Sequence, residues 1–115
     1  MWERSEPHDE RRGLFGGEGI VRVWVVPTRA APPFSIVLAC ELEARGRVGV
    51  HVQAEDAEMI ACVQGEGVVI VDDVPTLLVP GAVVALPLGS RMAIDNASPT
   101  DTFRYLILKA RGGGA

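Results

Sequence analysis

The sequence predicts an all-β domain of the sandwich or barrel type, with little or no helix. Two observations favour this class. About nine short runs rich in β-branched and aliphatic residues alternate with Gly, Pro or Asp, and no stretch sustains an apolar period of 3.6 residues. The chain has 115 residues, which is enough for one domain with its own core and too few for two.

The predicted strands are bounded by turn-forming residues. The predicted strands are Gly19–Val26, Phe34–Glu43, Arg47–Gln53, Glu58–Gln64, Gly67–Asp72, Thr76–Val79, Ala82–Leu86, Arg91–Asp95 and Thr102–Lys109. Turns are expected at Asp72-Asp73, Pro80-Gly81 and Pro87–Gly89. The domain organisation is therefore a charged N-terminal arm at 1–13, a β-barrel at 14–110 and a Gly-rich tail at 111–115.

Composition and charge exclude several classes of partner. With 15 acidic and 11 basic residues, the formal charge of −4 gives no positive field for nucleic acid or an anionic membrane. The charged N-terminus lacks the apolar stretch of a secretory signal, and no uncharged run is long enough to span a bilayer. Two cysteines, Cys40 and Cys62, indicate buried thiols better than a disulfide framework. We expect a cytoplasmic protein.

The strand Phe34–Glu43 has the clearest alternation of apolar and polar residues. Phe34, Ile36, Leu38, Cys40 and Leu42 share one face, so Cys40 is predicted to lie in the core. An open sheet of this size would leave unpaired edges, which a closed double sheet largely removes. We expect the remaining edge or a sheet face to support a homodimer.

The strand Arg47–Gln53 admits two orientations. In one, the valines Val48, Val50 and Val52 fill the core while His51 and Gln53 face solvent. In the other, the polar row lines a cavity and the valines pack outside. Periodicity alone does not choose between them.

Spaced residues across Arg45–Asn96 resemble the two sequence motifs of the cupin family. The first motif is matched by His51-Val52-Gln53, four residues, Glu58, six residues and Gly65, although Gly46 is one residue too close to His51. The second motif is matched by Gly81, Pro87, Gly89 and Asn96, with Met92 where the family has a histidine. The resemblance implies a double-stranded β-helix, or jelly-roll barrel.

The resemblance also implies a site inside the barrel. In the family, two histidines and a glutamate of the first motif and the histidine of the second hold one divalent metal. Carried over by position, this chain keeps His51 and Glu58 but has Gln53 and Met92 in place of two imidazoles. Gln offers a weak neutral oxygen, and Met is a soft ligand that contributes little to hard cations.

Three functions remain open at this point. The first is a binding or sensing protein for a small polar metabolite, with a pocket at His51, Gln53, Glu58 and Met92 and a degenerate metal site. The second is a metal-dependent enzyme of the dioxygenase, isomerase or decarboxylase type. There His51, Gln53 and Glu58 would hold Fe, Mn, Ni, Cu or Zn, and Glu58 could carry a proton. The third is a structural oligomer without a ligand.

Overall fold

A computed structural model describes residues 1–111 of the chain, in which ten strands account for most of the regular structure. The strands are β1 Asp9–Arg12, β2 Ile20–Val25, β3 Phe34–Leu42, β4 Arg47–Val52, β5 Asp56–Gln64, β6 Gly67–Val71, β7 Val74–Leu78, β8 Val83–Leu86, β9 Arg91–Asp95 and β10 Phe103–Arg111. A single 3₁₀ turn, Leu14–Gly16, lies between β1 and β2. Of the predicted tail at 111–115, all but Arg111 lies outside the described residues.

Two antiparallel sheets pack face to face. The larger has the strand order β1-β2-β3-β10-β5-β8 and the smaller the order β4-β9-β6-β7. Non-consecutive neighbours such as β3 and β10 mean that the chain crosses repeatedly between the sheets, as in a jelly roll. The predicted all-β, jelly-roll class is confirmed. Within residues 1–111, no helix is long and apolar enough to cross a membrane.

The core fills the space between the sheets at one end of the barrel. The inward residues of β3 and β10 supply its largest members, Leu42, Phe103 and Tyr105, all almost completely buried. Cys40 lies in this core, as the alternation of β3 predicts. Gly67 packs so closely on Phe103 that a Cβ would lie 2.5 Å from the ring, so only glycine fits there.

The turns follow the predicted chemistry. Asp72 and Asp73 both have positive φ, at 46° and 67°, which gives a two-residue hairpin between β6 and β7. The Asn96 amide donates to the carbonyls of Leu42, Glu43 and Asp101 and accepts from the Ser98 N–H. This side chain therefore ties the end of β9 to two other connections of the barrel.

The N-terminal segment, defined here as residues 1–8, lies on the outer face of the larger sheet. Trp24 of β2 points outward and is buried beneath it, with Trp24 Nε1 donating to the Glu3 carbonyl at 3.0 Å. The Trp2 ring meets the Trp24 ring edge-on at 6.0 Å. Residues 9–12, which the sequence places in a solvated arm, form β1 and pair with β2. The run DERR has no apolar face, so periodicity gave no sign of this strand.

Candidate functional site

A β-bulge in β4 determines which side chains enter the barrel. Val48 pairs with Ile94 and His51 with Met92, so three steps along β4 match two steps along β9. The extra residue reverses the alternation, so Val48, His51 and Gln53 all face inward. Val50 and Val52 face solvent and are 67% and 53% exposed. Before the bulge the strand follows the first predicted orientation, with a valine inward. After the bulge it follows the second, with His51 and Gln53 inward.

The inward side chains border a cavity of about 410 Å³ between the two sheets. All four predicted site residues, His51, Gln53, Glu58 and Met92, line it. Most of the remaining wall is aliphatic and comes from both sheets: Val21, Val23, Leu38, Val48, Ile94 and Ile107. A cavity of this size, with polar side chains set among aliphatic ones, has the dimensions of a small-molecule pocket.

Glu58 of β5 is the most buried charged group in the cavity wall, with 7% of its surface exposed. Its Oε1 accepts from Gln53 Nε2 at 3.3 Å, and its Oε2 lies 3.4 Å from Lys109 Nζ. Lys109 stands directly opposite Glu58 in the register of β10 with β5. Both contacts are long for charge-assisted hydrogen bonds, so the carboxylate is partnered without being tightly held.

His51 is positioned by the backbone of its own bulge and by an aromatic ring. Its Nδ1 lies 3.1 Å from the Gly49 carbonyl, so Nδ1 carries the proton and Nε2 is left to contact a ligand. The Phe15 ring stacks on the imidazole at 3.8 Å and 17°. Phe15 reaches this position through a left-handed backbone, φ 53°. A Cβ on Gly49 would lie 1.9 Å from the Phe15 carbonyl, so the turn requires glycine there.

Two further polar groups lie beside Glu58 and stay neutral at physiological pH. Tyr105 and Cys40 are cross-strand neighbours on β10 and β3, and both line the cavity. Burial, aided by the negative charge of Glu58, raises the pKa of Cys40 to about 12. Burial likewise raises the pKa of Tyr105 well above its ordinary value, with the neighbouring Cys40 and Glu58 adding to the effect. Neither group is a nucleophile or a general base near neutral pH.

The donor set at this position does not fit a divalent metal ion. Both oxygens of Glu58 have partners, one of them a lysine ammonium, and Gln53 turns its NH₂ group toward the carboxylate. Met92 adds only a thioether, so His51 is the single strong neutral ligand. Among residues 1–111, no three His, Cys, Asp or Glu side chains are grouped so that they could hold a metal ion.

The sequence argument missed other residues of the cavity wall, among them Arg11, Phe15, Glu55, Asp56 and Lys109. Lys109 follows Phe103, Tyr105 and Ile107 at a spacing of two, so its inward direction could have been read from β10. Arg11 lines the cavity from β1, and Phe15 from the 3₁₀ turn. Periodicity in the sequence does not indicate these two residues, because Arg11 lies on a charged strand and Phe15 lies in an irregular turn.

Solved structures with this architecture are numerous. One is described as a "predicted oxalate decarboxylase" from Thermotoga maritima, with a TM-score of 0.81, 19% identity, and coverage of 91% of this chain and 92% of that one. The Cnp3 cupin domain of Schizosaccharomyces pombe matches with a TM-score of 0.72 and 15% identity, over 90% of this chain and 69% of that one. A cupin 2 conserved barrel domain protein from Salinispora arenicola has a TM-score of 0.67 and 22% identity, over 80% and 76%.

No protein-family model and no curated protein matches the sequence. The structural likeness therefore stands on geometry, and at these identities it establishes the fold alone. The chain has the cupin fold, as the spacing of His51, Glu58, Gly65, Gly81, Pro87, Gly89 and Asn96 predicted.

Proposed function

We propose that this chain is a cupin-fold binding or sensing protein that takes a small polar metabolite without a metal ion. The observation that carries the proposal is the contact between Lys109 and Glu58 inside a cavity of about 410 Å³. In this position the ammonium occupies one oxygen of the carboxylate that a metal would need, and it supplies positive charge in place of the ion.

The polar groups have free bonding capacity that a ligand can use. Lys109 has three N–H donors, and Glu58 Oε2 is the side-chain partner that the structure gives it. Gln53 and His51 line the same cavity, and neither the Gln53 amide oxygen nor His51 Nε2 is used in the hydrogen bonds that these side chains make. A cavity that combines such groups with an aliphatic wall is suited to orient a small molecule by its polar end.

A thermal-shift screen against metabolites tests the proposal. A ligand that binds only the folded state raises the melting temperature by mass action, increasingly with concentration. Each hit should lose its effect in Glu58→Leu and keep it in Glu66→Gln, which changes an exposed glutamate that does not line the cavity. Hits that survive Glu58→Leu, or no hit at all, would contradict the proposal.

The competing function is a metal-dependent enzyme; the Thermotoga maritima neighbour that shares the fold is described as a predicted oxalate decarboxylase. Elemental analysis of untagged protein prepared without chelator distinguishes the two. We expect less than stoichiometric metal in the wild type. Gln53→His should raise the affinity for added divalent metal, since it supplies a second imidazole on the inward face. Stoichiometric metal that His51→Ala removes would favour the enzyme.

We also propose that two copies pair through the outer face of the larger sheet. Two cross-strand rows there are entirely uncharged: Val37, Leu108, Met59 and Ala85 in one, and Leu106, Ala61 and Val83 in the other, whose next member, Ala39, is already buried. In a two-fold contact each row meets its own copy, which an uncharged face allows without like-charge repulsion. By contrast, Arg47, Arg91 and Asp95 interrupt the outer face of the smaller sheet.

The oligomeric state tests this pairing. Light scattering after size exclusion should give the mass of a dimer for the wild type and for Val50→Glu, which adds a charge to the smaller sheet. Met59→Glu, in the middle of the uncharged rows, should give the mass of a monomer. A monomeric wild type would contradict the proposal.

A further inference from the structure

The charged residues that line the cavity fall into an acidic and a basic group, each from its own strands. The acidic residues come from one short stretch, Glu55, Asp56 and Glu58, at the start of β5 and in the connection before it. The basic residues, Arg11 and Lys109, come from β1 and β10. The wall therefore has a negative side and a positive side, and they meet where Lys109 contacts Glu58.

The positive side is built to accept a carboxylate. Lys109 Nζ makes one contact of 3.4 Å to Glu58, and Arg11 uses one nitrogen to reach Asp9 at 3.2 Å. Both groups keep further N–H donors, and either a guanidinium or an ammonium can anchor a carboxylate. With 30% of its surface exposed, the Lys109 side chain has room to turn toward a ligand.

The negative side is built to accept an ammonium group. Glu58 Oε2 contacts Lys109 Nζ only at 3.4 Å, so the ammonium group of a ligand can replace Lys109 there. Gln53 directs its NH₂ group to Glu58, which leaves its amide oxygen as an acceptor. His51 Nε2 is a third acceptor, because Nδ1 faces the Gly49 carbonyl. Three acceptors suit the three N–H bonds of an ammonium.

The rest of the cavity wall is mainly aliphatic, and it favours a ligand whose uncharged part is a hydrocarbon group. Val21, Val23, Leu38, Ile94 and Ile107 offer no hydrogen bonds, and Met92 adds an adaptable apolar surface. A ligand held by its charged end would therefore place a hydrocarbon group against these residues.

We propose that the cavity binds a small zwitterion, namely an α-amino acid with an aliphatic side chain. The ammonium contacts Glu58, Gln53 and His51, the carboxylate contacts Lys109 and Arg11, and the side chain lies against the aliphatic wall. This inference rests on the proposed function, since it assumes that the cavity is a binding site. It adds the requirement that both charges be present on one ligand.

Four probes that share one side chain test the requirement for both charges. They are L-leucine, L-leucinamide without the carboxylate, N-acetyl-L-leucine without the ammonium, and 4-methylpentanamide with neither charge. Isothermal titration should give the lowest Kd for L-leucine. Loss of one charge should raise the Kd about tenfold or more, the effect of one charge-assisted hydrogen bond. Repeating the set with alanine, valine and isoleucine covers a side chain of another size.

Variants assign each charge to its side of the cavity. Lys109→Met should raise the Kd of L-leucine but not that of L-leucinamide, because Lys109 competes with the ligand ammonium for Glu58. Glu58→Gln should raise the Kd of L-leucine but not that of N-acetyl-L-leucine, because Glu58 competes with the ligand carboxylate for Lys109. Arg12→Met serves as a matched control for Arg11→Met, because Arg12 is the next residue on β1 and does not line the cavity.

Lys109 is the only lysine of the chain, so it gives a direct spectroscopic readout. Reductive methylation with ¹³C-formaldehyde labels its side chain and the α-amine, and Lys109→Arg identifies the Lys109 signal. Under saturating L-leucine this signal should shift, and the α-amine signal should stay in place. A Lys109 signal that is unchanged while L-leucine binds would overturn the assignment of the carboxylate.

The outcomes separate this inference from the proposed function. If the screen finds ligands for the cavity but only neutral or singly charged probes bind, the zwitterion inference fails and the binding function stands. If no amino acid of the four sets binds, the inference also fails, and the broader screen decides the function. If L-leucine binds no better than 4-methylpentanamide, the charged groups do not recognise it, and the inference is wrong.

Discussion

Two buried glutamates on opposite faces of the larger sheet have very different surroundings. Glu41 points outward from β3 and is 1% exposed beneath the N-terminal segment. Three guanidinium groups surround it: Arg104 at 2.8 Å, Arg4 at 3.1 Å and Arg22 at 3.7 Å. Glu58 points inward from β5 to a cavity, with one lysine at 3.4 Å and one amide at 3.3 Å.

Burial alone therefore does not distinguish a structural carboxylate from one that a ligand could contact. Glu41 is the more buried of the two carboxylates, but its oxygens are saturated by close donors, which marks a structural group. Glu58 keeps loose partners and borders empty volume, which marks a group that a ligand can engage. The number and length of the contacts, more than burial, separate structure from function here.

The largest predicted effect is on stability, from Glu41→Gln. This change removes the charge that holds three arginines together, so we expect the free energy of unfolding to fall by about 2–3 kcal/mol. Urea denaturation measures the loss. Glu66→Gln is the matched control at an exposed position, with an expected change within about 0.5 kcal/mol. A loss below about 1 kcal/mol for Glu41→Gln would mean that the cluster does not hold the sheet face together.

The next effect concerns the N-terminal segment that covers Glu41. Trp2 packs edge-on against Trp24 and lies under Arg104, whose Cζ is 5.4 Å from its ring centre. Trp2→Ala removes an aromatic pair and a cation–π contact, so we expect a loss of about 1–2 kcal/mol. The emission of Trp24, then the only tryptophan, should move to longer wavelength. Trp2→Phe keeps an aromatic ring, so it should restore both the stability and the emission wavelength. If the emission does not move in Trp2→Ala, the N-terminal segment covers Trp24 without help from Trp2.

A smaller effect is expected at the cavity. Lys109→Met and Glu58→Gln should each change the free energy of unfolding by less than about 1 kcal/mol, because their contact is long and borders space that water can enter. A double-mutant cycle compares the two carboxylates directly. The coupling of Glu58 with Lys109 should be weaker than that of Glu41 with Arg104. The reverse order would make Glu58 a structural residue and weaken the case for a ligand there.

Much of the architecture follows from the sequence, because it depends on local rules. Period-two alternation locates β3 and buries Cys40, and the Asp72-Asp73 pair gives a hairpin for which such residues are suited. The site depends on a less local feature. The bulge in β4 reverses the alternation between Val48 and His51. Gly49 is the residue type that could have indicated it, but a glycine in a strand does not say which side chains the shift turns inward. Lys109 is different, since its inward direction was readable and only its pairing with Glu58 required the topology.

The smallest predicted effect is a pH dependence of stability. It arises in the N-terminal segment, on the same face of the sheet as Glu41. His8 stacks on Trp24 at 4.8 Å, and its Nε2 lies 3.2 Å from Glu10 Oε2. The hydrogen bond to the Glu6 carbonyl, then that to Glu10, raises the pKa of His8 above 6.5, although Arg22 opposes the shift. The hydrogen bonds from His8 and Arg22 lower the pKa of Glu10 below 4.5.

The two shifts confine the contribution of this pair to a window of pH. A raised histidine pKa stabilises the fold fully below 6.5, and the contribution is lost as the pH rises through the higher value of the folded state. A lowered glutamate pKa stabilises the fold above 4.5, and that contribution is lost as the pH falls through the lower value. The stability that wild type has over His8→Gln should therefore be greatest between pH 4.5 and 6.5 and smaller at about pH 8. Urea denaturation of wild type and His8→Gln across this range measures the difference. When Glu58→Gln is added to both proteins, the difference should keep the same dependence on pH, because His8 belongs to the outer face and not to the cavity. A difference that instead grows toward pH 8 would show that neutral His8 holds the segment, by stacking on Trp24 alone.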